Sequence, residues 1–182
     1  LPTKFAIHKS KIISKIDEQP KSLLAPLIPG RLKTYTYEDE NSYYEMYKKS
    51  IFALTYKKAG WDCLRHYEIL MNGCIPLFLD IKNCPIDTVS SLPKKELIEF
   101  LDKFSKIFRF YNPFKIFKKK HLTLQRIFTL FKLSSEHDRI KLFLKDNNNI
   151  FDLKRDLLEF TRKNLTTEML AKYTLESYKK YK

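Results

Sequence analysis

Two short apolar runs that flank one helical pattern constrain the fold of this chain more than any other feature. The runs are SIFALTY at residues 50–56 and CIPLFLD at residues 74–80, and DCLRHYEILMN between them has helical spacing. Both runs are rich in β-branched and aromatic residues, as buried strands are. A strand–helix–strand unit of this length places its strands parallel in one sheet. We therefore predict an α/β fold with a Rossmann-like parallel sheet flanked by helices.

The remaining patterns extend this unit on both sides. Strand-like runs occur at residues 4–8 and 32–38, and DENSYYEMYKK at residues 39–49 is a helical pattern with Asp39 or Asn41 as its cap. From about residue 92 onward the apolar spacing is helical. We predict one domain over residues 1–182, with an α/β core at 1–90 and a mainly helical part at 91–182 packed on it.

Several classes of protein are disfavoured by the sequence. No apolar run approaches the ~20 residues of a membrane span, and the first residues lack the apolar core of a signal peptide. The three cysteines and four histidines are scattered, without the spacing of a metal site. We expect free thiols, no metal and no cofactor. The expected location is cytoplasmic, or peripheral on the cytoplasmic face of a membrane.

The formal charge of +14 is concentrated in the second half, where residues 101–182 hold 20 basic and 9 acidic side chains. Such charge suggests a polyanion or an anionic membrane as partner. However, the chain has 28 lysines and only 7 arginines, whereas base-reading surfaces favour arginine for its bidentate geometry. Nucleic acid is therefore the less favoured partner.

One segment, at residues 103–132, is both basic and aromatic. It contains nine Lys or Arg residues, eight aromatic residues and no acid. Three interpretations are open: an element that lies on an anionic membrane, a surface that stacks single-stranded nucleic acid, or amphipathic helices whose phenylalanines face the core.

The helical pattern at residues 62–72 has one apolar and one polar face. We expect Asp62 to cap the helix and Gly73 to end it. The face expected to pack on the sheet carries Leu64, Tyr67 and Met71. The opposite face carries Trp61, Arg65, Glu68 and Asn72.

The start of this helix is a candidate anion site. Ligands of open parallel sheets bind beyond the carboxyl ends of the strands, at helix N-termini. Lys57, Lys58 and Arg65 add positive charge there, and Gly60 permits a sharp turn close to a ligand.

The stretch from residue 44 to residue 85 resembles the donor-binding half of exostosin-like glycosyltransferases, and more broadly the C-terminal domain of GT-B glycosyltransferases. The resemblance covers roughly residues 32–85, and residues 165–176 show a weaker similarity to the same family. The matching positions are Ser50, Gly60, Arg65, Glu68, Gly73, Cys74, Ile75 and Pro76.

This resemblance implies a single GT-B half-domain that binds a nucleoside-diphosphate sugar at residues 1–90. Arg65, with Lys57, Lys58 and Gly60, would meet the diphosphate, and Glu68 would bind the ribose. The sugar would pass to a glycan, lipid or protein acceptor without a metal. The acceptor half would lie upstream, so no catalytic residue is assigned here.

Simpler interpretations of the same residues stay open. Arg65 and Glu68 could form an exposed helix ion pair, and Trp61 could pack in the core or stack on a base or sugar. Lys57 and Lys58 could be solvated, and we expect His66 to be a surface or half-buried histidine. The alternative function is a non-catalytic module that docks on an anionic membrane or polyanion through residues 103–132.

Overall fold

The computed structural model describes residues 5–107 and 135–180. Most of the basic aromatic segment, including residues 108–132, lies outside the described residues. Within them, no helix combines the length and apolar character needed to cross a bilayer.

Three parallel strands form the sheet, in the order β1 (Ser22–Leu24), β2 (Ser50–Thr55) and β3 (Ile75–Phe78). All six residues of β2 and all four of β3 are buried, as the continuous apolar runs indicate. The predicted parallel pairing of the β2 and β3 runs is therefore confirmed. All three strands end at the same side, which we call the carboxyl end of the sheet.

The crossover helices are α1 (Glu40–Lys48), between β1 and β2, and α2 (Leu64–Met71), between β2 and β3. Asp39 caps α1 by accepting a hydrogen bond from the backbone of Ser42 at 2.9 Å, as predicted. The predicted cap of α2 is wrong. This helix starts after Cys63, which makes no side-chain cap bond. The Asp62 carboxylate accepts a hydrogen bond from the Tyr67 hydroxyl.

Among the described residues, four further helices follow the sheet: α3 (Lys94–Ile107), α4 (Glu136–Asp146), α5 (Ile150–Asn164) and α6 (Thr167–Lys180). Phe52 of β2 packs against Phe100 of α3 and Phe143 of α4 at ring separations of 5.6 and 5.3 Å. On the other face, Thr55 bonds to His66 of α2. The sheet therefore has helices on both faces, and the C-terminal helices close its core.

The outer edge of β1 is covered by a side chain. The Glu136 carboxylate accepts hydrogen bonds from the backbone of Leu23 at 2.7 Å and from the Ser22 hydroxyl at 3.2 Å. An unpaired strand edge would otherwise template pairing with another chain. The first turn of α4 thus replaces a neighbouring strand.

Two predicted strands are absent from the described residues, and β1 was not predicted. Of residues 5–8, only Ile7 pairs, through one bridge to Thr166. Residues 32–38 begin with a 3₁₀ turn (Leu32–Thr34). The Thr34 hydroxyl fixes that turn by bonding to the backbone of Ile28 and Arg31, which takes the segment away from the sheet.

Gly73 ends α2 in a left-handed conformation that residues with a side chain rarely adopt, and replacing it with alanine is expected to destabilise the fold by about 2–5 kcal/mol. Its φ is +64°, and an added Cβ would lie 2.9 Å from Ile13 Cδ1 and 3.0 Å from Ile16 Cγ2. Left-handed backbone costs an L-residue about 1–2 kcal/mol and crowding adds about 1–3 kcal/mol. Urea unfolding measures the loss.

Gly60→Ala is the matched control, because the nearest atom to an added Cβ there is 3.9 Å away. We expect it to change the free energy of unfolding by less than about 0.5 kcal/mol. Equal losses for both variants would contradict the role assigned to Gly73.

Candidate functional site

Side-chain contacts hold together the loops at the carboxyl end of the sheet. The Tyr56 hydroxyl, directly after β2, donates to the carbonyl of Pro29 in the loop after β1. The backbone N–H of Lys57 lies 3.2 and 3.3 Å from the Asp80 carboxylate oxygens, after β3. The loops from all three strands are thus fixed around the start of α2.

A cleft of about 340 Å³ opens beside α2, within the volume range of small-molecule sites. Four tyrosines and four carboxylates line it: Tyr35, Tyr37, Tyr43, Tyr44, Glu38, Asp39, Glu40 and Glu68. Four of these residues lie in the segment before α1, three lie in the first turns of α1, and Glu68 comes from α2. The cleft therefore presents aromatic walls and hydrogen-bond acceptors.

Glu68 is the half-buried carboxylate of this cleft. One oxygen accepts from the Tyr43 hydroxyl at 2.9 Å, and that hydroxyl lies 3.1 Å from the Tyr47 hydroxyl. Burial raises the pKa of Glu68 above its ordinary value of 4.5, because desolvation disfavours the charged form. A ligand that donates hydrogen bonds would restore part of the lost solvation.

Arg65, one turn before Glu68, has most of its donors unused. Its guanidinium donates to the Tyr35 hydroxyl at 2.8 Å and lies 6.0 Å from the centre of that ring. The buried Nε–H has no acceptor among residues 5–107 and 135–180. Arginine has five N–H donors, so apart from this buried Nε–H and the bond to Tyr35, three terminal N–H groups are unpaired in the part of the chain described here.

Arg65 and Glu68 do not form the ion pair that their spacing allows. Both residues are described, and no side-chain N–O distance between them is within 4.0 Å. Each instead bonds to a tyrosine. The two side chains therefore remain separate recognition groups on one helix.

The predicted site residues fall into two groups. Glu68 lines the cleft, whereas Arg65, Lys57, Lys58 and Gly60 are not among its lining residues. Lys57 and Lys58 are exposed. The negative charge of the cleft disfavours binding of a diphosphate there, whereas the positive charge of the loop after β2 favours its binding.

Trp61 is half-buried and packs against the core, with its ring 6.4 Å from Phe78. The Lys57 ammonium lies 4.9 Å from the centre of the indole, in the range of a cation–π contact. These contacts agree with the packing interpretation of Trp61.

The expectation for His66 is wrong, because its ring is buried between strand and helix. Its Nδ1 lies 2.9 Å from the Thr55 hydroxyl, Nε2 lies 2.9 Å from the Trp61 carbonyl, and the ring stacks on Phe78 at 4.3 Å. A carbonyl only accepts, so Nε2 carries the proton and Nδ1 accepts from Thr55. Burial lowers the pKa of His66 to about 4, so the ring is neutral and structural.

Cys63, 3.5 Å from His66 Nε2, is not an activated nucleophile. That nitrogen already holds its proton toward the Trp61 carbonyl, so it does not act as a base for the thiol. Burial raises the pKa of Cys63, which keeps the thiol protonated.

The tyrosines of the cleft were missed by sequence reasoning. Tyr35 and Tyr37 were assigned to a strand, and Tyr43 and Tyr44 to an ordinary helix face. The available signal was composition, since residues 35–44 hold four tyrosines and three acids within ten positions. Aromatic rings beside carboxylates are typical of polar ligand sites.

Among the described residues, no group of three or more His, Cys, Asp or Glu side chains is arranged to hold a metal ion. Comparison of the chain with protein-family models, with curated proteins and with solved structures found no match.

Proposed function

We propose that this chain is the donor-binding half-domain of an exostosin-like, GT-B-type glycosyltransferase. The observation that carries the proposal is the position of Arg65 and Glu68. They lie one turn apart on a crossover helix that starts at the carboxyl end of a parallel sheet, where α/β folds bind ligands. Glu68 also faces a cleft large enough for a nucleoside.

The nucleoside would occupy the cleft, with its ribose at Glu68. A carboxylate accepts hydrogen bonds from both ribose hydroxyls, and Tyr43 holds one Glu68 oxygen in place. Tyr37 and Tyr44 offer ring surface for the base. Because the cleft is acidic, its occupant is the uncharged part of the donor.

The diphosphate would lie on the opposite side, between Arg65 and the loop after β2. The unused guanidinium donors supply charge-assisted bonds to phosphate oxygens. Lys57, Lys58 and the first N–H groups of α2 add positive potential. The same groups would stabilise the diphosphate as it leaves during glycosyl transfer, whereas the acceptor hydroxyl and its base would come from another half-domain.

Calorimetric titration of the Glu68→Ala variant tests the ribose contact. We expect uridine and guanosine diphosphate to bind at least about tenfold more weakly, which corresponds to one charge-assisted hydrogen bond. Inorganic pyrophosphate should bind as tightly or more tightly, because a nearby negative charge is removed.

Glu38→Gln is the matched control, since it neutralises another carboxylate of the cleft and should change nucleotide affinity less than about threefold. Circular dichroism establishes that each variant folds. Unchanged nucleotide affinity in Glu68→Ala would contradict the proposed ribose site, as would a parent protein that binds neither nucleotide.

A further inference from the structure

Two aliphatic side chains project from the carboxyl end of the sheet with almost no protein contact. Leu32 is 86 % exposed in the loop after β1, and Ile86 is 87 % exposed in the loop after β3. Leu64, at the start of α2, is 42 % exposed on the same side, although its spacing predicted packing on the sheet. Single exposed leucines are common, but these three share one end of one sheet.

The loops that carry the two most exposed side chains are turns fixed by hydrogen bonds from a side chain. Thr34 closes the Leu32 turn through its bonds to Ile28 and Arg31. The Lys94 ammonium bonds to the carbonyls of Pro85, Ile86 and Thr88 at 2.9, 3.2 and 2.8 Å. These bonds fix the backbone of both turns, so little backbone entropy would be lost on docking.

Exposed basic residues lie beside Leu32 and in the loop after β2. Arg31 and Lys33 flank Leu32, and Lys57 and Lys58 lie in the loop after β2. All four side chains are exposed. The exposed acids on these loops are Asp87, next to Ile86, and Glu38 and Asp39, which line the cleft. We call Leu32, Leu64, Ile86 and these four basic residues the loop surface.

We propose that the loop surface docks on an anionic lipid bilayer, with Leu32 and Ile86 inserted between headgroups. Aliphatic side chains beside Lys and Arg bind interfaces through apolar burial combined with attraction to anionic lipid. A protein partner fits less well, because lysine is depleted at protein interfaces. Single-stranded nucleic acid fits less well because it stacks on aromatic rings and not on aliphatic ones.

This inference rests on exposure and charge at the loop surface, independently of the proposed function. Where both hold, the bilayer would lie beside the donor site, and the acceptor would be a lipid or a molecule held at a membrane.

Vesicle sedimentation tests the docking. The probe is phosphatidylcholine vesicles containing about one third phosphatidylserine, compared with pure phosphatidylcholine. We expect the full chain to bind the anionic vesicles preferentially. Leu32→Ser combined with Ile86→Ser should lower the partition coefficient at least about tenfold. Arg31→Gln combined with Lys33→Gln should lower the partition coefficient on anionic vesicles by a similar factor and leave it unchanged on pure phosphatidylcholine.

Leu175→Ser is the matched control, because Leu175 is a 63 % exposed leucine on α6 that does not belong to the loop surface. It should leave partitioning unchanged. The proposal is overturned if the parent does not bind, if Leu175→Ser loses as much as the loop variant, or if only replacement of Lys118, Lys119 and Lys120 by Glu abolishes binding. Nucleotide titration of the loop variant separates this outcome from failure of the donor site.

Discussion

Replacing Arg65 with alanine is expected to weaken nucleoside diphosphate binding by about 1.5–3 kcal/mol, the usual range for a hydrogen bond to a charged group. The guanidinium gives one bond to Tyr35 and has a buried Nε–H without an acceptor in the described structure. Since no carboxylate oxygen lies within 4.0 Å of it in the part of the chain described, its charge is available to phosphate. Both nucleotide and pyrophosphate should lose affinity, which distinguishes this variant from Glu68→Ala.

Two further variants test the geometry of the Arg65 contact. Arg65→Lys keeps the charge but loses the planar fork, so it should restore only part of the affinity. Arg155→Ala is the distant control, because Arg155 is exposed on α5 and pairs with Glu18 and Asp152. If Arg65→Ala folds and binds both ligands as the parent does, the diphosphate assignment is wrong.

The central β2–α2–β3 unit could be predicted because its information is local. Continuous apolar runs specify buried strands, and Gly73 marks the end of the helix between them. Strand β1 has only three residues, too few for a period to show. Its position depends on pairing with β2 and on the Glu136 contact, and both of these are distant in sequence.

The orientation of α2 depends on a tertiary contact that periodicity does not contain. We expected Leu64 to pack on the sheet and His66 to be a surface or half-buried residue, whereas the structure exposes Leu64 and buries His66. Burial of the imidazole carries little penalty because Thr55 and the Trp61 carbonyl satisfy both nitrogens. A hydrophobicity pattern counts histidine as polar and misses this compensation.

Only part of the candidate site could be predicted from the sequence. The helix spacing puts Arg65 and Glu68 on one face, and the structure has them there as separate groups. The tyrosines that bond to them, Tyr35 and Tyr43, are 30 and 25 residues away along the chain. Only the tertiary fold brings those rings to the helix, so the local signal was limited to the tyrosines and acids clustered at residues 35–44.

Lys154 is a buried lysine whose replacement is expected to change stability in opposite directions according to the new side chain. It is 1 % exposed on α5, and its ammonium lies 3.3 Å from the Ser50 carbonyl and 3.5 Å from the Asp17 carbonyl. These bonds are long and neutral, and no carboxylate oxygen of the described residues is within 4.0 Å. Burial therefore lowers the pKa of Lys154.

Lys154→Met should raise the free energy of unfolding by about 1–3 kcal/mol near neutral pH, because a buried charge is replaced by an apolar chain of similar volume. Lys154→Ala should lower it by about 2–4 kcal/mol, because the side chain leaves a cavity. Lys163→Met is the matched control, since Lys163 is an exposed lysine on the same helix, and should change stability by less than about 0.5 kcal/mol.

The pH dependence of the Lys154→Met gain identifies its cause. With the folded pKa below the unfolded value of 10.5, the folded state releases its proton first as pH rises, and the parent gains stability up to that value. The advantage of Lys154→Met should therefore be largest below the folded pKa and should shrink as pH approaches 10.5. Burial raises the pKa of the nearby Cys74 thiol from 9.0 to about 12, so this group lowers the stability of both proteins as pH rises above 9.0 and cancels in the difference between them. Urea unfolding of parent and variant across this pH range measures the difference. A Lys154→Met protein that is less stable than the parent at every pH would show that the two carbonyl bonds outweigh the desolvation of the ammonium.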